Sequence, residues 1–359
     1  MTRSAPLRIG LLGASRIAEL AITEATRDTG DVRAAVAARD PERARAYAAE
    51  HGYQSIRDSY EELIADDSLD LIYIGLPNGL HAEWTVRALD AGRSVLVEKP
   101  FASNLLEFDM VAAKLTGQSA VADAADSVAG WAWEAFHFAD HPLMSRLIEL
   151  VVSGEIGDVS GVRVTMAMPA PPATDPRWNF DLAGGALMDL GCYAINGLLV
   201  LSEALEVPLE LLSAEAAPYG HDARVDAAVR AEFSLGEVPV AMRTDMQSPK
   251  WDFSFEILGT RGSVLSPNFV KPQEDDRLIV RVGANSSEAA DASDAADREE
   301  RVERLGGTSS YTYQLQRIRE AVHCGSRDTA ELERSRRTMA LIDQVYETCG
   351  LPLRQGRLG

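Results

Sequence analysis

Glu98-Lys99-Pro100 directly follows the apolar run Ser94-Val95-Leu96-Val97. A lysine there stands at the carboxyl end of a buried strand, the edge at which open α/β sheets bind ligands. Its ammonium is suited to holding a substrate oxygen or to lowering the pKa of a neighbouring acid. The plainer alternative is a strand exit closed by a surface salt bridge. Further along, Asp189-Leu190-Gly191-Cys192-Tyr193 follows Gly184-Gly185. In a helix this spacing sets Asp189 and Tyr193 one turn apart on one face. A tyrosine beside a lysine ammonium has its phenolate favoured and becomes a general acid/base, with Asp189 placed to orient a substrate hydroxyl. Against this stands an amphipathic helix with a buried tyrosine whose hydroxyl takes whatever partner is near.

A third pattern concerns phosphate. Gly13-Ala14-Ser15-Arg16-Ile17-Ala18 follows the first strand-like run and opens the first helical one, the position of the dinucleotide fingerprint G-x-G-x-x-G/A. Ser15 replaces the second glycine and Ala18 the third. Both are small enough for a backbone to approach a pyrophosphate and for a helix to pack on a strand, and the helix N-terminus offers free N–H groups to the anion. The alternative is a bare structural turn. After the second strand, where an acid would bind the ribose 2′-hydroxyl of NAD, the chain reads Ala37-Ala38-Arg39-Asp40. Arg39 is placed for the 2′-phosphate of NADP, while Asp40 already has a capping role before Pro41. NADP is favoured and NAD left open. Pro77-Asn78-Gly79-Leu80-His81 follows the third strand; it either passes under a nicotinamide ribose or simply starts the next helix. His137 and His141 are four apart, but Pro142 disfavours helical geometry at His141 and no third ligand is clear, so no metal is expected. Trp131, Trp133, Phe136 and Phe138 read as core or pocket wall.

The elements that must position these groups change character along the chain. Strand and helix patterns alternate over the first third: strands at Leu7 to Leu12, Val32 to Ala38, Leu69 to Leu76 and Ser94 to Val97, helices at Ile17 to Thr26, Pro41 to His51 and His81 to Ala91. This implies βαβ units and a parallel sheet. After about residue 125, strand candidates succeed one another at Val159 to Met168, Ala227 to Leu235, Val238 to Met246, Phe253 to Leu258 and Leu278 to Val282, which suggests an antiparallel or mixed sheet. Ala284 to Glu300 is rich in Ala, Ser, Asp and Glu and reads as a solvated loop. Tyr311 to His323 and Leu332 to Cys349 read as closing helices.

A chain of 359 residues suggests two domains, since one core rarely grows past about 250–300 residues. Fifty-five acids against 35 bases leave a net charge of -20, a field that repels nucleic acid. Cys192, Cys324 and Cys349 are scattered, which fits a reducing cytosol and no structural zinc. No apolar signal region is expected before the first strand, and no apolar run is expected to reach the length of a membrane span.

In order and spacing these pieces resemble the Gfo/Idh/MocA oxidoreductase family. The resemblance rests on Gly13 to Ala18, Pro77 to His81, Glu98-Lys99-Pro100, Glu134-Ala135-Phe136 with His141-Pro142, Ser153-Gly154-Glu155-Ile156-Gly157, Gly184 to Tyr193, and Gly259-Thr260-Arg261-Gly262. It implies an α/β fold: an N-terminal Rossmann dinucleotide-binding domain over 1–125, then a C-terminal α+β substrate and oligomerisation domain over 126–359 with a predominantly antiparallel open sheet, its last helices packing back on the first domain. It implies hydride transfer between a nicotinamide cofactor, NADP or NAD, and a sugar, polyol or cyclic diol. Lys99 maps onto the family's catalytic lysine. Tyr193, where another branch carries His, sets the chain closer to the dihydrodiol dehydrogenase, xylose dehydrogenase and glucose–fructose oxidoreductase branch. The expected catalytic set is Lys99, Tyr193 and Asp189. Around the cofactor the expected set is Gly13, Ser15, Arg16, Ile17, Arg39, Leu76, Pro77, Asn78, His81, Glu98 and Lys99. A cytoplasmic homodimer or homotetramer joined through the C-terminal sheet is implied, with no membrane partner. Two departures stand out. Ala183 replaces the first residue of a usual glycine triplet, and Phe136-His137-Phe138-Ala139-Asp140 lacks the usual Met-Tyr-Arg-type sequence on the substrate side. Two other readings share the same residues. One is an NADPH-dependent ketosugar reductase for nucleotide-linked sugars, with Arg177 and Lys250 as cations for a second pyrophosphate. The other is a non-catalytic cofactor-sensing regulator, which predicts a missing lysine or acid/base.

Overall fold

The computed structural model describes residues 5–120, 130–283 and 299–358. Short runs rich in Leu, Ile, Val and Ala are buried on both faces, as strands covered by helices on either side must be. They build a parallel sheet in the order β3 (Ser55–Ile56), β2 (Val32–Ala37), β1 (Arg8–Leu12), β4 (Leu71–Ile74), β5 (Val95–Val97) and β6 (Ala132–Glu134). The order reverses between β1 and β4, so the carboxyl ends of β1, β4 and β5 open on one crevice. Helix Pro41–His51 starts as its sequence requires, with Pro41 in its first turn and the Asp40 carboxylate accepting from Glu42 N–H at 3.0 Å. The first helix differs from expectation: it runs from Arg16 to Thr29 and widens to a π-helix over Glu19–Glu24.

The second sheet runs β14 (Glu299–Arg304), β13 (Arg277–Val282), β12 (Gly262–Ser266), β11 (Phe255–Gly259), β7 (Val159–Ala167), β10 (Val238–Asp245), β9 (Asp222–Leu235) and β8 (Leu209–Tyr219). It is mixed: β7 pairs with β10 in parallel, and the other pairs are antiparallel. β14 corrects the loop expected over Ala284 to Glu300, because Glu299 and Glu300 begin a strand; residues 284–298 lie outside the described residues, as does the expected boundary at 125/126. Its charges are those of an edge strand. Glu300 meets Arg281 at 2.8 Å, Glu303 meets Arg146 at 2.7 Å, and Arg304 meets Asp276 at 2.9 Å.

The stretch from Phe180 to Leu205 is longer and more apolar than the sequence reading allowed, enough by composition to cross a membrane. It is a core element, 94% buried across its most apolar window. It holds a π-helical turn over Leu187–Gly191 that continues into an α-helix over Cys192–Leu205. The closing helices return to the first sheet's side of the chain. From Ser310–Cys324, Arg319 donates to Thr29 O at 2.9 Å and Thr312 to Asp28 at 2.9 Å. From Thr329–Thr348, Asp343 accepts from Leu105 N–H at 2.9 Å.

Candidate active site

The crevice edge is built from small residues and close approaches. Gly13 has φ +95°, and a Cβ there would lie 2.8 Å from Leu76 Cδ2 and 3.0 Å from Gly75 O, so only glycine lets the loops after β1 and β4 meet. Ser15 Oγ is buried with no partner in the protein. Arg16 opens the helix with a side chain 85% exposed, reaching Asp175 at 3.3 Å, and Ile17 beside it is half-buried. Arg39 is exposed just past β2, and Arg43 on the next helix lays its guanidinium on Ala14 O at 2.6 Å. Leu76 is buried behind Gly13, and Pro77 begins a tight turn in which Asn78 Nδ2 donates to Ala183 O at 3.2 Å. A Cβ on Gly79 would sit 3.0 Å from Leu182 backbone carbon, so this loop lies flat on the 180–185 segment. An orphaned hydroxyl, a glycine cradle and exposed cations fit the pyrophosphate and ribose phosphate of a dinucleotide.

His81, expected at the cofactor, has both ring nitrogens engaged by backbone carbonyls. Its ring is fully buried, with Nδ1 2.7 Å from Pro100 O and Nε2 2.8 Å from Leu76 O. It ties the loops after β4 and β5 together. Burial holds its pKa below the ordinary histidine value against the pull of both carbonyls, and a neutral ring donates to only one of them at a time. Glu98 is likewise buried, and its carboxylate accepts from the Tyr73 hydroxyl. Burial raises its pKa, opposed by the Lys99 ammonium.

Lys99, joined to Pro100 by a cis peptide, meets both residues expected beside it. Its Nζ donates to Asp189 O at 2.9 Å, lies 3.5 Å from Asp189 Oδ1, and sits 4.5 Å from the centroid of the Tyr193 ring. Asp189 and Tyr193 face the same ammonium, although the first lies in the π-helical turn and the second in the α-helix. Burial alone would lower the Lys99 pKa, but Asp189, Cys192 and Glu98 carry it above the ordinary lysine value. Burial pushes Asp189 upward, and Lys99 and Arg177 more than reverse this. The pair is therefore ionised. Arg177 Nε meets Asp189 Oδ2 at 2.7 Å and its Nη1 meets Asp175 at 3.3 Å, so this guanidinium bridges two carboxylates.

Tyr193 departs from the phenolate expectation. Lys99 lies over the ring face as a cation–π contact, not at the hydroxyl. Burial, then Glu98, Cys192 and Asp189, push the phenol pKa well above its ordinary value. The tyrosine is a protonated phenol whose hydroxyl lies 3.3 Å from His137 Nε2. Phe136 packs edge-on against its ring at 5.7 Å and Phe138 lies at 6.0 Å, so the segment that departs from the family pattern walls this tyrosine.

Two further features support the cluster from behind. Ala183 and Gly185 hold left-handed backbone at φ 56° and 140°; a Cβ on Gly185 would lie 2.1 Å from Asp226 Oδ1. Asp226 accepts from Leu187 N–H at 2.7 Å, and the fully buried Arg354 binds both Asp226 and Gly184 O at 2.6 Å. Glu134, at the end of β6, accepts from Phe101 N–H at 2.8 Å, with the Ser335 hydroxyl beside it as a second donor. Burial pushes its carboxyl from 4.5 up to about 8. A carboxyl raised on folding is stabilised as the neutral acid. Its contribution is intact below its unfolded pKa and is lost as pH climbs from 4.5 to about 8. Glu134→Gln keeps the Phe101 bond and should remove that loss, making the variant a few kcal/mol more stable than the parent above pH 8 at about 1.4 kcal/mol per pKa unit. Denaturation midpoints measured across this pH range check it; parallel curves for the two proteins would refute it.

Arg43, Glu134 and the partners of His137 escaped the sequence reading. Arg43 was discoverable as a second cation in the first turn of the helix that follows Arg39. Glu134 stood within a quoted motif but without a role. Ser310 meets His137 from 173 residues away, which no local pattern encodes. Among the described residues no group of His, Cys, Asp and Glu is arranged to hold a metal ion.

A sheet of order 3-2-1-4-5-6 with a phosphate-type loop at its switch point, facing a lysine–aspartate–tyrosine cluster, defines a nicotinamide-dependent oxidoreductase as the class. The chain belongs to the Gfo/Idh/MocA oxidoreductase family. Residues 7–123 match the oxidoreductase family with NAD-binding Rossmann fold, and residues 144–265 match the GFO/IDH/MocA C-terminal domain. The chain is 31% identical over 346 residues to D-xylose 1-dehydrogenase (NADP(+)) 2 of Haloferax volcanii, covering 95% of this chain and 97% of that protein. It is 28% identical over 282 residues to the dTDP-3,4-didehydro-2,6-dideoxy-alpha-D-glucose 3-reductase of Saccharopolyspora spinosa, covering 77% and 79%. In fold it is similar to the crystal structure of KijD10, a 3-ketoreductase from Actinomadura kijaniata in complex with NADP and TDP-benzene, at TM-score 0.81 and 24% identity over 96% of this chain and 98% of that one.

Proposed function

We propose that this protein is an NADP-dependent dehydrogenase that moves a hydride between nicotinamide and a free sugar, polyol or cyclic diol. The observation that carries this reading is the Lys99–Asp189–Tyr193 cluster at the edge where the fingerprint loop opens. When bound, the nicotinamide supplies the hydride donor or acceptor. Lys99 holds the reacting oxygen, a substrate atom displacing its weak 3.5 Å contact with Asp189. Asp189, kept ionised, accepts a hydrogen bond from an adjacent hydroxyl. Tyr193 exchanges the hydroxyl proton, and the Phe136 and Phe138 rings exclude water from it.

Exposed Arg39 and the neighbouring Arg43 are the cations placed for a 2′-phosphate, in keeping with the NADP named for the xylose dehydrogenase relative. Of the two cations named for the nucleotide-linked alternative, Arg177 is already paired with Asp175 and Asp189, while Lys250 is exposed. The regulator reading requires a missing lysine or acid/base, and Lys99 and Tyr193 are both in place. The same reading makes the protein a cytoplasmic homo-oligomer joined through the second sheet.

The test is NADP(+) reduction by a panel of aldoses, polyols and trans-diols, with NAD(+) in parallel. Turnover of at least one free sugar or diol is expected, with NADP(+) preferred. Arg39→Ala combined with Arg43→Ala should raise the KM for NADP(+) roughly ten- to a hundredfold and move that for NAD(+) little, the loss of one or two charge-assisted hydrogen bonds. Turnover confined to nucleotide-linked ketosugars would overturn the free-sugar reading.

A further inference from the structure

His137 is held at both ring nitrogens, and the chain of bonds fixes which one carries the proton. Ser310 N–H and Oγ lie 3.4 and 3.1 Å from the same Gln273 atom. A backbone N–H only donates, so that atom is the amide oxygen, and the serine hydroxyl donates to it as well. Ser310 Oγ then accepts from His137 Nδ1 at 2.8 Å. A neutral ring protonated at Nδ1 has a lone pair at Nε2, and this lone pair faces the Tyr193 hydroxyl at 3.3 Å. The ring is 1% exposed and stacks on Tyr311 at 3.8 Å between centroids. Burial, then Lys99, Lys271 and His141, hold its pKa well below the ordinary histidine value, which keeps it neutral.

We infer that His137 is a positioning residue for proton transfer: it draws the Tyr193 O–H away from the substrate side, so that the phenol presents an oxygen lone pair to a substrate hydroxyl. This rests on the hydride-transfer reading above. A substrate hydroxyl then donates to the Tyr193 oxygen, and the neutral ring, accepting at Nε2, keeps the phenol turned to receive it. Lys99 does not take this part, because its ammonium lies over the ring and not at the hydroxyl.

Long-range proton–nitrogen correlation spectra of the full chain labelled with nitrogen-15 histidine test the tautomer without any substrate. His137, assigned by its loss in His137→Gln, should be neutral with its hydrogen on Nδ1. Ser310→Ala should convert it to a mixture of tautomers. A hydrogen on Nε2 in the parent protein would overturn the inference, and this result stands whether or not a sugar is ever turned over. Kinetics test the positioning: His137→Gln should lower kcat about ten- to a hundredfold with cofactor KM unchanged, and a kcat within about twofold of the parent would refute it.

Discussion

Lys99→Met should cost roughly a thousandfold or more in kcat, about 4 kcal/mol of transition-state stabilisation, while NADP binding stays within a few-fold. The ammonium is the group that meets Asp189 through both its carbonyl and its carboxylate and covers the face of Tyr193. Methionine fills the space of the lysine stem and removes only the charge and its donors. A reacting oxygen then has no cation, while Asp189 remains ionised on Arg177 alone. Lys99→Arg should fail as well, because a planar fork does not replace a compact ammonium between a carboxylate and an aromatic face. Quenching of tryptophan fluorescence by NADPH reports cofactor binding, and a thermal melt reports folding. A methionine variant that binds NADPH, melts like the parent and turns over within tenfold of it would refute the role given to Lys99.

The second large effect lies away from the reacting atoms. Arg354 is fully buried against an equally buried Asp226 at 2.6 Å, and it also donates to Gly184, Arg224 and Pro352 carbonyls. The Tyr346 ring lies 4.1 Å from its guanidinium carbon. Burial raises the Asp226 pKa, and Arg354 opposes the shift. Arg354→Ala removes one half of a buried pair and strands the other, for which a loss of about 3–5 kcal/mol is expected. Adding Asp226→Asn should restore part of it, because the stranded charge is then gone. Chemical denaturation of the three proteins provides the comparison. A loss under about 1 kcal/mol in Arg354→Ala, or further loss in the double variant, would refute the account.

The parallel sheet was legible because each of its main strands is an apolar run closed by a turn residue, and the Asp40-Pro41 start of a helix is written in two adjacent residues. The short strands Ser55–Ile56 and Ala132–Glu134, the strands Leu209–Tyr219 and Gly262–Ser266, and the charged edge strand Glu299–Arg304 were not, since pairing with a neighbour, not composition, makes them strands. In the site, Lys99, Asp189 and Tyr193 were readable as types at a strand end and on a helix. Their relation was only half readable. Residue types promised a lysine near a tyrosine; whether the charge meets the hydroxyl or the ring depends on how the π-helical turn rotates the following helix. His81 was readable only as a type for a similar reason: a histidine at a ligand edge reads the same whether it faces the crevice or clamps the loops beneath it.

The chain holds four lysines, Lys99, Lys114, Lys250 and Lys271, and leaves nearly all its positive charge to arginine. Lys250 is exposed and Lys114 and Lys271 are partly so, while Lys99 is 8% exposed and locked to Asp189. Amine-directed labelling therefore becomes a clock for the crevice: three lysine peptides acquire the label promptly, and the fourth does so only as often as its ammonium breaks free. The lag on that one peptide, read by mass spectrometry with and without NADPH, measures how often the site opens.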